Sequence, residues 1–118
     1  MPVPLSDLLG RLGALPGVIL EHPFGAEVEV YKLGGKIFAM AADDDDGPRL
    51  TLKCDPVMAE ILREAHPAVR PGYHTDKRHW NTVDLDDPDL PDDVLWNMIQ
   101  GSYDLIRKAL PKRIQATL

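Results

Sequence analysis

The side chains best suited to ligand binding or chemistry are concentrated between residues 70 and 83, in the run RPGYHTDKRHWNTV. Lysine and arginine bind phosphates, imidazole and amide groups reach sugars and base edges, and an indole ring stacks on a base. We therefore predict that a basic turn near residues 70–81 contacts nucleic acid. The candidate contact residues are Lys53, Arg70, His74, Lys77, Arg78, His79 and Asn81.

Structural roles are the alternative for the same run. Trp80 is more readily explained as the core anchor of its strand, because a large aromatic side chain in a small domain usually fills the core. Asn81 also suits a turn or sheet position where its amide is hydrogen-bonded. For Lys77 and Arg78, solvated turn positions and an anion-binding role are equally good interpretations.

The histidine and cysteine positions do not match a metal or catalytic pattern. His74 and His79 are five residues apart, with His66 and Cys54 upstream, and the short-spaced ligand pairs of zinc sites do not occur. Cys54 with either His74 or His79 would make a nucleophile–base pair. However, Cys54 directly precedes a predicted helix, where a small buried residue also fits, and no GxSxG motif occurs. We predict a protein that is not an enzyme and uses no metal or cofactor.

The composition describes a small, acidic, globular protein. Its 118 residues fit a single domain, residues 1–118, that can bury a core. The formal net charge is −6, which repels nucleic acid at long range. Residues 48–83 nevertheless carry six Lys/Arg against four Asp/Glu, so a local anion-attracting face is permitted. Any affinity for DNA should be weak and steeply dependent on salt.

The sequence also bears on compartment and assembly. The first seven residues lack the basic and long apolar segments of a signal peptide. No run approaches the ~18 apolar residues of a membrane helix. A single cysteine permits no internal disulfide. We therefore expect a cytoplasmic protein without a membrane partner, monomeric or at most weakly dimeric.

Apolar periodicity and breaker residues define eight elements around the basic run. Their order is α-β-β-β-α-β-β-α. Antiparallel strands with helices packed on one face predict a two-layer α+β domain. The predicted helices are residues 4–14, 55–66 and 90–110, the predicted strands are residues 27–33, 36–41, 49–53, 69–74 and 80–85, and residues 111–118 are expected to be a frayed basic tail.

Local motifs within these elements predict a helix start, a hairpin turn, two loops and the buried faces of two helices. The Asp-Pro pair at 55–56 is a strong helix start, and the glycine pair at 34–35 suits a two-residue hairpin turn. Phe24 is expected to be the buried anchor of its loop. The acidic run 43–46 is expected to be a solvated tip, because Lys53 stands where an EF-hand needs glutamate. The predicted buried faces are Met58, Ile61, Leu62 and Ala65 on the second helix, and Leu95, Ile99, Tyr103, Ile106 and Leu110 on the third.

Seven short motifs are spread over about residues 15–110. They are PFG at 23–25, GKIFA at 35–39, LKCDP at 52–56, PGYH at 71–74, HWNTV at 79–83 with Lys77 before it, LPDD at 90–93 and SY at 102–103. Together they resemble the MmcQ/YjbR family of small bacterial proteins. The resemblance implies a two-layer α+β fold with antiparallel strands, similar to secretion-chaperone-like domains. It also implies DNA binding, because that fold is likened to a double-wing DNA-binding arrangement, and it supplies no catalytic residues.

Two function hypotheses remain at this point. The first is a small DNA-binding protein that uses the basic turn near residues 70–81. The alternative is a chaperone-like protein-interaction module that holds a partner, or a second copy, on an exposed sheet face or on the last helix. A contiguous exposed apolar patch would favour the interaction module, whereas a contiguous Lys/Arg patch would favour nucleic acid.

Overall fold

The computed structural model describes residues 5–25, 27–44, 47–72 and 75–118. The helices are α1 (Leu5–Ala14), α2 (Pro56–Ala65), α3 (Asp92–Ala109) and α4 (Lys112–Gln115). The strands are β1 (Val18–Glu21), β2 (Val28–Leu33), β3 (Lys36–Asp44), β4 (Gly47–Lys53), β5 (Val69–Pro71) and β6 (Trp80–Asp84). These strands form one antiparallel sheet in the order β1-β2-β3-β4-β6-β5. The predicted α+β class is confirmed.

Strands β2 and β3 form the predicted hairpin. Gly34 and Gly35 connect them with φ angles of +58° and +83°, which are left-handed values that glycine adopts without steric cost. The ladder beyond the turn is irregular, because Lys32 pairs with Ile37 while the preceding residue on β2 pairs with Ala39. The residue between them on β3 is therefore the extra residue of a β-bulge.

The main core lies between one face of the sheet and helices α1 and α3. Leu50 and Leu52 of β4 point into it and are almost fully buried. The bulged residue Phe38 meets Tyr103 of α3 edge to face, with ring centroids 5.8 Å apart. The buried face predicted for the last helix is confirmed by the burial of Leu95, Ile99, Tyr103, Ile106 and Leu110.

Helix α2 starts where predicted but buries a different face. The Asp55 side chain caps the helix, accepting hydrogen bonds from the N–H groups of Val57 and Met58 at 3.1 and 3.2 Å. The predicted apolar stripe is confirmed only at Leu62, which packs against the core. It is wrong at Met58 and Ile61, which are 47% and 51% exposed, and at Ala65, which is also exposed, while Ala59 is the buried residue. The helix packs against β5 and β6 at the end of the sheet, and the small Ala59 side chain allows that close approach.

Strand β1 was not predicted, so four strands rather than three precede α2. It is only four residues long, and three of these are exposed. No alternation of apolar and polar residues therefore marks it in the sequence. Its antiparallel pairing with β2, from Val18 opposite Leu33 to Glu21 opposite Val30, defines it instead.

The C-terminal tail is ordered, which corrects the expectation that it is frayed. Residues Lys112–Gln115 form α4, and the side chains of Ile114 and Leu118 pack against the core. Gly17, with φ of +78°, lies directly beside Leu118. Two apolar anchors thus hold a segment whose basic charges favoured solvation in the sequence analysis.

Two loops differ from their predicted extents. Strand β5 ends at Pro71 rather than at residue 74, and Tyr73 and His74 lie outside the described residues. The acidic run 43–46 is not wholly a loop, because β3 continues through Asp44. Its last two residues, 45 and 46, also lie outside the described ranges.

Candidate functional site

The sheet has a second face, opposite α1 and α3, which we call the open face. Its central row is formed by the cross-strand neighbours Val30, Met40, Thr51 and Thr82. Side chains alternate along a strand, so alternate residues on either side of Thr51 share this face. Val30 and Thr82 are fully buried although they lie outside the main core cluster. The open face therefore has packing of its own.

A cleft of about 550 Å³ lies on the open face, and we call it the cleft. Its lining is mainly apolar and includes Val28, Ile37, Met40 and Trp80. Phe24 also lines it and is 66% exposed, so the prediction that Phe24 is a buried anchor is wrong. Its ring is available to whatever occupies the cleft. The volume lies within the range of ligand-binding clefts, which are likewise mostly apolar with a few polar groups.

Two threonines form a polar pair at the base of the cleft. The Oγ1 atoms of Thr51 and Thr82 are 2.9 Å apart, and both residues are buried. Each hydroxyl therefore has a partner before any ligand arrives. The base of the cleft does not require a polar ligand group to satisfy this pair.

The turn of residues 75–79 supplies Thr75 and Asp76 to the polar part of the lining, and β4 supplies the rest. Asp76 accepts a hydrogen bond from the N–H of Arg78 at 3.0 Å, and its other oxygen lies 2.9 Å from Nδ1 of His79. The Arg78 N–H, followed by His79, holds the pKa of the Asp76 carboxyl below its usual value. The hydroxyl of Thr75 is buried and has no hydrogen-bond partner among the described residues. Asp76 is thus a negative charge in the cleft lining, which also contains the cation Arg49.

Trp80 is half-buried and belongs to the cleft rather than to the main core. The prediction that it anchors the core is therefore wrong. Lys53 Nζ lies 6.0 Å from the centre of the Trp80 ring, at the outer limit of a cation–π contact. The N–H of Gly72 donates to the Trp80 carbonyl at 2.9 Å, and a Cβ on Gly72 would lie 2.6 Å from the Trp80 Cβ. Only glycine allows this close approach.

Asn81 has no exposed surface, so it cannot contact nucleic acid directly. This corrects its assignment as a contact residue and matches the structural alternative. It points away from the open face because it alternates with Trp80 and Thr82 on β6. Its Oδ1 accepts a hydrogen bond from Nε of Arg63 at 2.7 Å, and its Nδ2 donates to the Ala59 carbonyl at 3.4 Å. The sequence analysis missed Arg63, because one arginine within a helix carries no motif that marks it.

The cations of the predicted DNA-binding turn have unequal surroundings. Arg70 forms a two-bond ion pair with Asp84, at 2.9 and 2.6 Å. Lys77 Nζ donates to the Gly72 carbonyl at 3.2 Å. The Arg78 side chain is exposed. Of the predicted phosphate contacts, Arg70 is therefore paired with a carboxylate, and Lys77 is hydrogen-bonded to a backbone carbonyl.

A second apolar site, the α2–α3 groove, lies between those two helices and has a volume of about 540 Å³. Its lining includes Met58, Leu62, Met98 and Leu105. Cys54 is half-buried in it, and burial raises the pKa of the Cys54 thiol. A raised pKa keeps the thiol protonated at neutral pH, which does not suit a nucleophile.

Within the described ranges, no three His, Cys, Asp or Glu side chains are grouped to hold a metal ion. Nor does any helix there have the length and apolar character needed to cross a bilayer.

Known proteins are similar to this chain in sequence and in fold. A family profile described as YjbR matches residues 13–105. The uncharacterised protein YbdF of Escherichia coli O157:H7 is 37% identical over 101 residues, covering 86% of this chain and 82% of that protein. The uncharacterised protein YjbR of Escherichia coli K12 is 34% identical over 108 residues, covering 92% and 91%.

Two solved structures extend the comparison. The crystal structure of Deinococcus radiodurans protein DR2400, whose domain is described as DUF419, matches with a TM-score of 0.86 and 36% identity. The match covers 95% of this chain and 85% of that one. A Pseudomonas syringae protein matches with a TM-score of 0.76 over 87% of this chain and 98% of its own. At 23% identity, that second likeness shows the fold alone.

Proposed function

This chain belongs to the YjbR family, and we propose that it is a non-catalytic interaction module that holds an apolar segment of a partner protein in the cleft. The single observation that carries the proposal is an apolar cleft on the open face of the sheet, with Phe24 66% exposed beside it. A large apolar residue left in water next to an apolar cleft is typical of an interaction surface.

The composition of the cleft supports a protein partner. Tryptophan, phenylalanine, methionine and arginine are enriched at the centres of protein interfaces, and the cleft combines Trp80, Phe24, Met40 and Arg49. An aromatic or aliphatic anchor seated in such a pocket supplies most of the binding free energy in typical interfaces. We therefore expect the partner segment to carry at least one large apolar side chain.

The surface beyond the cleft supports an occupant larger than a small molecule. Ile19 of the edge strand β1 is 61% exposed, and cross-strand pairing aligns it with Lys32 and then with Ile37, which lines the cleft. Lys32 forms a 3.4 Å ion pair with Glu21. The open face thus offers apolar residues next to a paired polar rim, which is the usual anatomy of a protein interface.

DNA binding through the basic turn remains the competing proposal. It is favoured by the exposed Arg78 and by Lys53 beside the ring of Trp80. It is opposed by the negative charge of Asp76, by the Arg70–Asp84 ion pair and by the net charge of −6. Because phosphate contacts dominate affinity for nucleic acid, the balance of these charges favours the protein partner.

A random peptide library displayed on phage tests the proposal directly. The library is selected on the immobilised wild-type protein, and the enriched peptides are then measured on Phe24→Ala, whose exposed side chain can be truncated with little effect on folding. Enriched peptides should share a large apolar residue and bind Phe24→Ala at least about fivefold more weakly, as losing ~1 kcal/mol implies. Val57→Ala is the matched control, because Val57 is 68% exposed but lies on α2.

The outcomes separate the two proposals. Peptides that bind wild-type protein and Phe24→Ala equally would exclude the cleft as their site. Fluorescence anisotropy with duplex and single-stranded oligonucleotides, at low and physiological salt, tests DNA. Binding at low salt that loses up to about two units of salt slope in Lys77→Ala/Arg78→Ala would instead favour the basic turn.

A further inference from the structure

We infer that Arg63 is the positioning residue of the cleft. It contacts the backbone behind one wall, formed by Trp80 and the 75–79 turn, and does so from the opposite side of the sheet. Arg63 lies in α2, which packs against β5 and β6. Its Nε donates to Oδ1 of Asn81 at 2.7 Å, and its Nη2 donates to the carbonyls of Trp80, at 3.1 Å, and Lys77. The inference deepens the proposed function, because it concerns the same cleft.

The chemistry of this contact requires arginine. The three acceptors differ in position, and a planar guanidinium presents several N–H donors in a fixed fork. A lysine at 63 keeps the charge but places all its donors on one nitrogen, so it cannot reach the same three oxygens together. The acceptor of the Arg63 hydrogen bond is also fixed in position. Asn81 is fully buried, and its Nδ2 is hydrogen-bonded to the Ala59 carbonyl.

Arg63 contacts the backbone of this region at the Lys77 carbonyl and at the Trp80 carbonyl. The base of the turn is tied by two backbone bonds, from Cys54 N–H to the His79 carbonyl at 2.8 Å and from Gly72 N–H to the Trp80 carbonyl at 2.9 Å. The side chain of Asp76 closes the turn locally. Arg63 adds the tie between this turn and α2.

The consequence for the cleft is indirect but specific. Trp80 and Asp76 both line the cleft, and Arg63 does not. Their positions relative to the base of the cleft depend on where the Lys77–Trp80 backbone is held. Side chains that line a binding site are positioned accurately only when the residues that support them are held in place. Substitution of Arg63 should therefore change the cleft without removing any atom from its lining.

The test follows the indole N–H signal of Trp80 by NMR, assigned by its persistence in Trp96→Phe. The variants are Arg63→Ala and Arg63→Lys, and Arg113→Ala, an exposed arginine of α4, is the matched control. Both Arg63 variants should shift the Trp80 indole signal and leave that of Trp96 in place. Each should also weaken binding of a peptide selected on the wild-type protein by about tenfold. Arg113→Ala should do neither.

A merely structural role for Arg63 would lower the melting temperature without moving the Trp80 signal selectively, and that result would overturn the inference. If the variants fail to fold, the wild-type protein still decides the matter. The Nε–H proton of Arg63 should exchange with water at least about tenfold more slowly than that of Arg113, because it is hydrogen-bonded to a buried acceptor. Equal exchange would also overturn the inference. If the Trp80 signal moves but no peptide binds even wild-type protein, the proposed function fails while the role of Arg63 stands.

Discussion

Replacing Ser102 by alanine should strongly destabilise this protein, because one hydroxyl bridges two strands. In the β3–β4 ladder Ala39 pairs with Leu52, and the next pair in register would be Phe38 with Lys53. The ladder ends before that pair. Instead, the Ser102 hydroxyl donates to the Phe38 carbonyl at 2.6 Å and accepts from the Lys53 N–H at 3.0 Å. Helix α3 thereby completes the sheet at the point where the strands separate.

The magnitude follows from the two backbone groups that Ser102→Ala would leave without this partner. A buried polar group without a partner costs about 1–3 kcal/mol. The bond to Phe38 is buried and that to Lys53 is partly buried, so the second group should lie near the lower limit. Alanine has a higher helix propensity than serine, which stabilises the variant by about 0.5 kcal/mol. We expect a net loss of about 1.5–3.5 kcal/mol, out of the 5–15 kcal/mol typical of a domain.

Urea denaturation measures this loss, and Gly101→Ala is the control at the neighbouring position. A Cβ on Gly101 would meet nothing within 4 Å, so that variant should gain up to about 1 kcal/mol from helix propensity. Amide exchange provides a local readout, because the Lys53 N–H should lose protection in Ser102→Ala before the other amides of β4. A Ser102→Ala protein within about 0.5 kcal/mol of wild type would falsify the bridging argument.

Three further predictions concern the cleft and its turn. Trp80→Ala should lower the free energy of unfolding, measured by urea denaturation, by about 1–2.5 kcal/mol, which is below the 3–5 kcal/mol of a fully buried aromatic residue. A larger loss would mean that Trp80 is a core residue. Asp76→Asn should lower the melting temperature at neutral pH, because the folded-state pKa of Asp76 lies below its ordinary 3.8. The stabilising effect of the Asp76 charge is present above pH 3.8 and is lost as the pH falls through the lowered pKa. The melting temperatures of the wild-type protein and the variant should therefore converge in acid. A difference in melting temperature that stays constant across pH would contradict this. Lys77→Ala/Arg78→Ala should change the free energy of unfolding by no more than about 0.5 kcal/mol, and a larger loss would mean that the bond from Lys77 to the Gly72 carbonyl holds the turn.

The run 70–83, which sequence reasoning singled out, supplies Thr75, Asp76 and Trp80 to the cleft. The predicted contact residues that the structure describes do not line the cleft. The motifs resembling the YjbR family identified the family correctly. Two of those motif residues have structural roles: Ser102 bridges β3 and β4, and Tyr103 donates to the Pro16 carbonyl at 2.6 Å. The roles within the run were harder to assign, because Asn81 is buried while its neighbour Trp80 lines the cleft.

The features that could be predicted from the sequence are those whose causes lie within a few residues. The Asp55 cap needs only the two N–H groups that follow it. The left-handed turn at Gly34 and Gly35 needs only the absence of a Cβ. The apolar period of α3 identified its buried face, because a helix of 18 residues repeats its pattern over several turns.

The tertiary structure alone decided which apolar surfaces are covered. Phe24 and Met58 are as apolar as any core residue, yet they are 66% and 47% exposed. Leu118 is covered because Gly17, about a hundred residues earlier in the chain, leaves room for it. Arg63 has a role only because the fold brings α2 beside the end of β6. Burial depends on contacts between residues far apart in the chain, and periodicity and capping, being local, carry no information about those contacts.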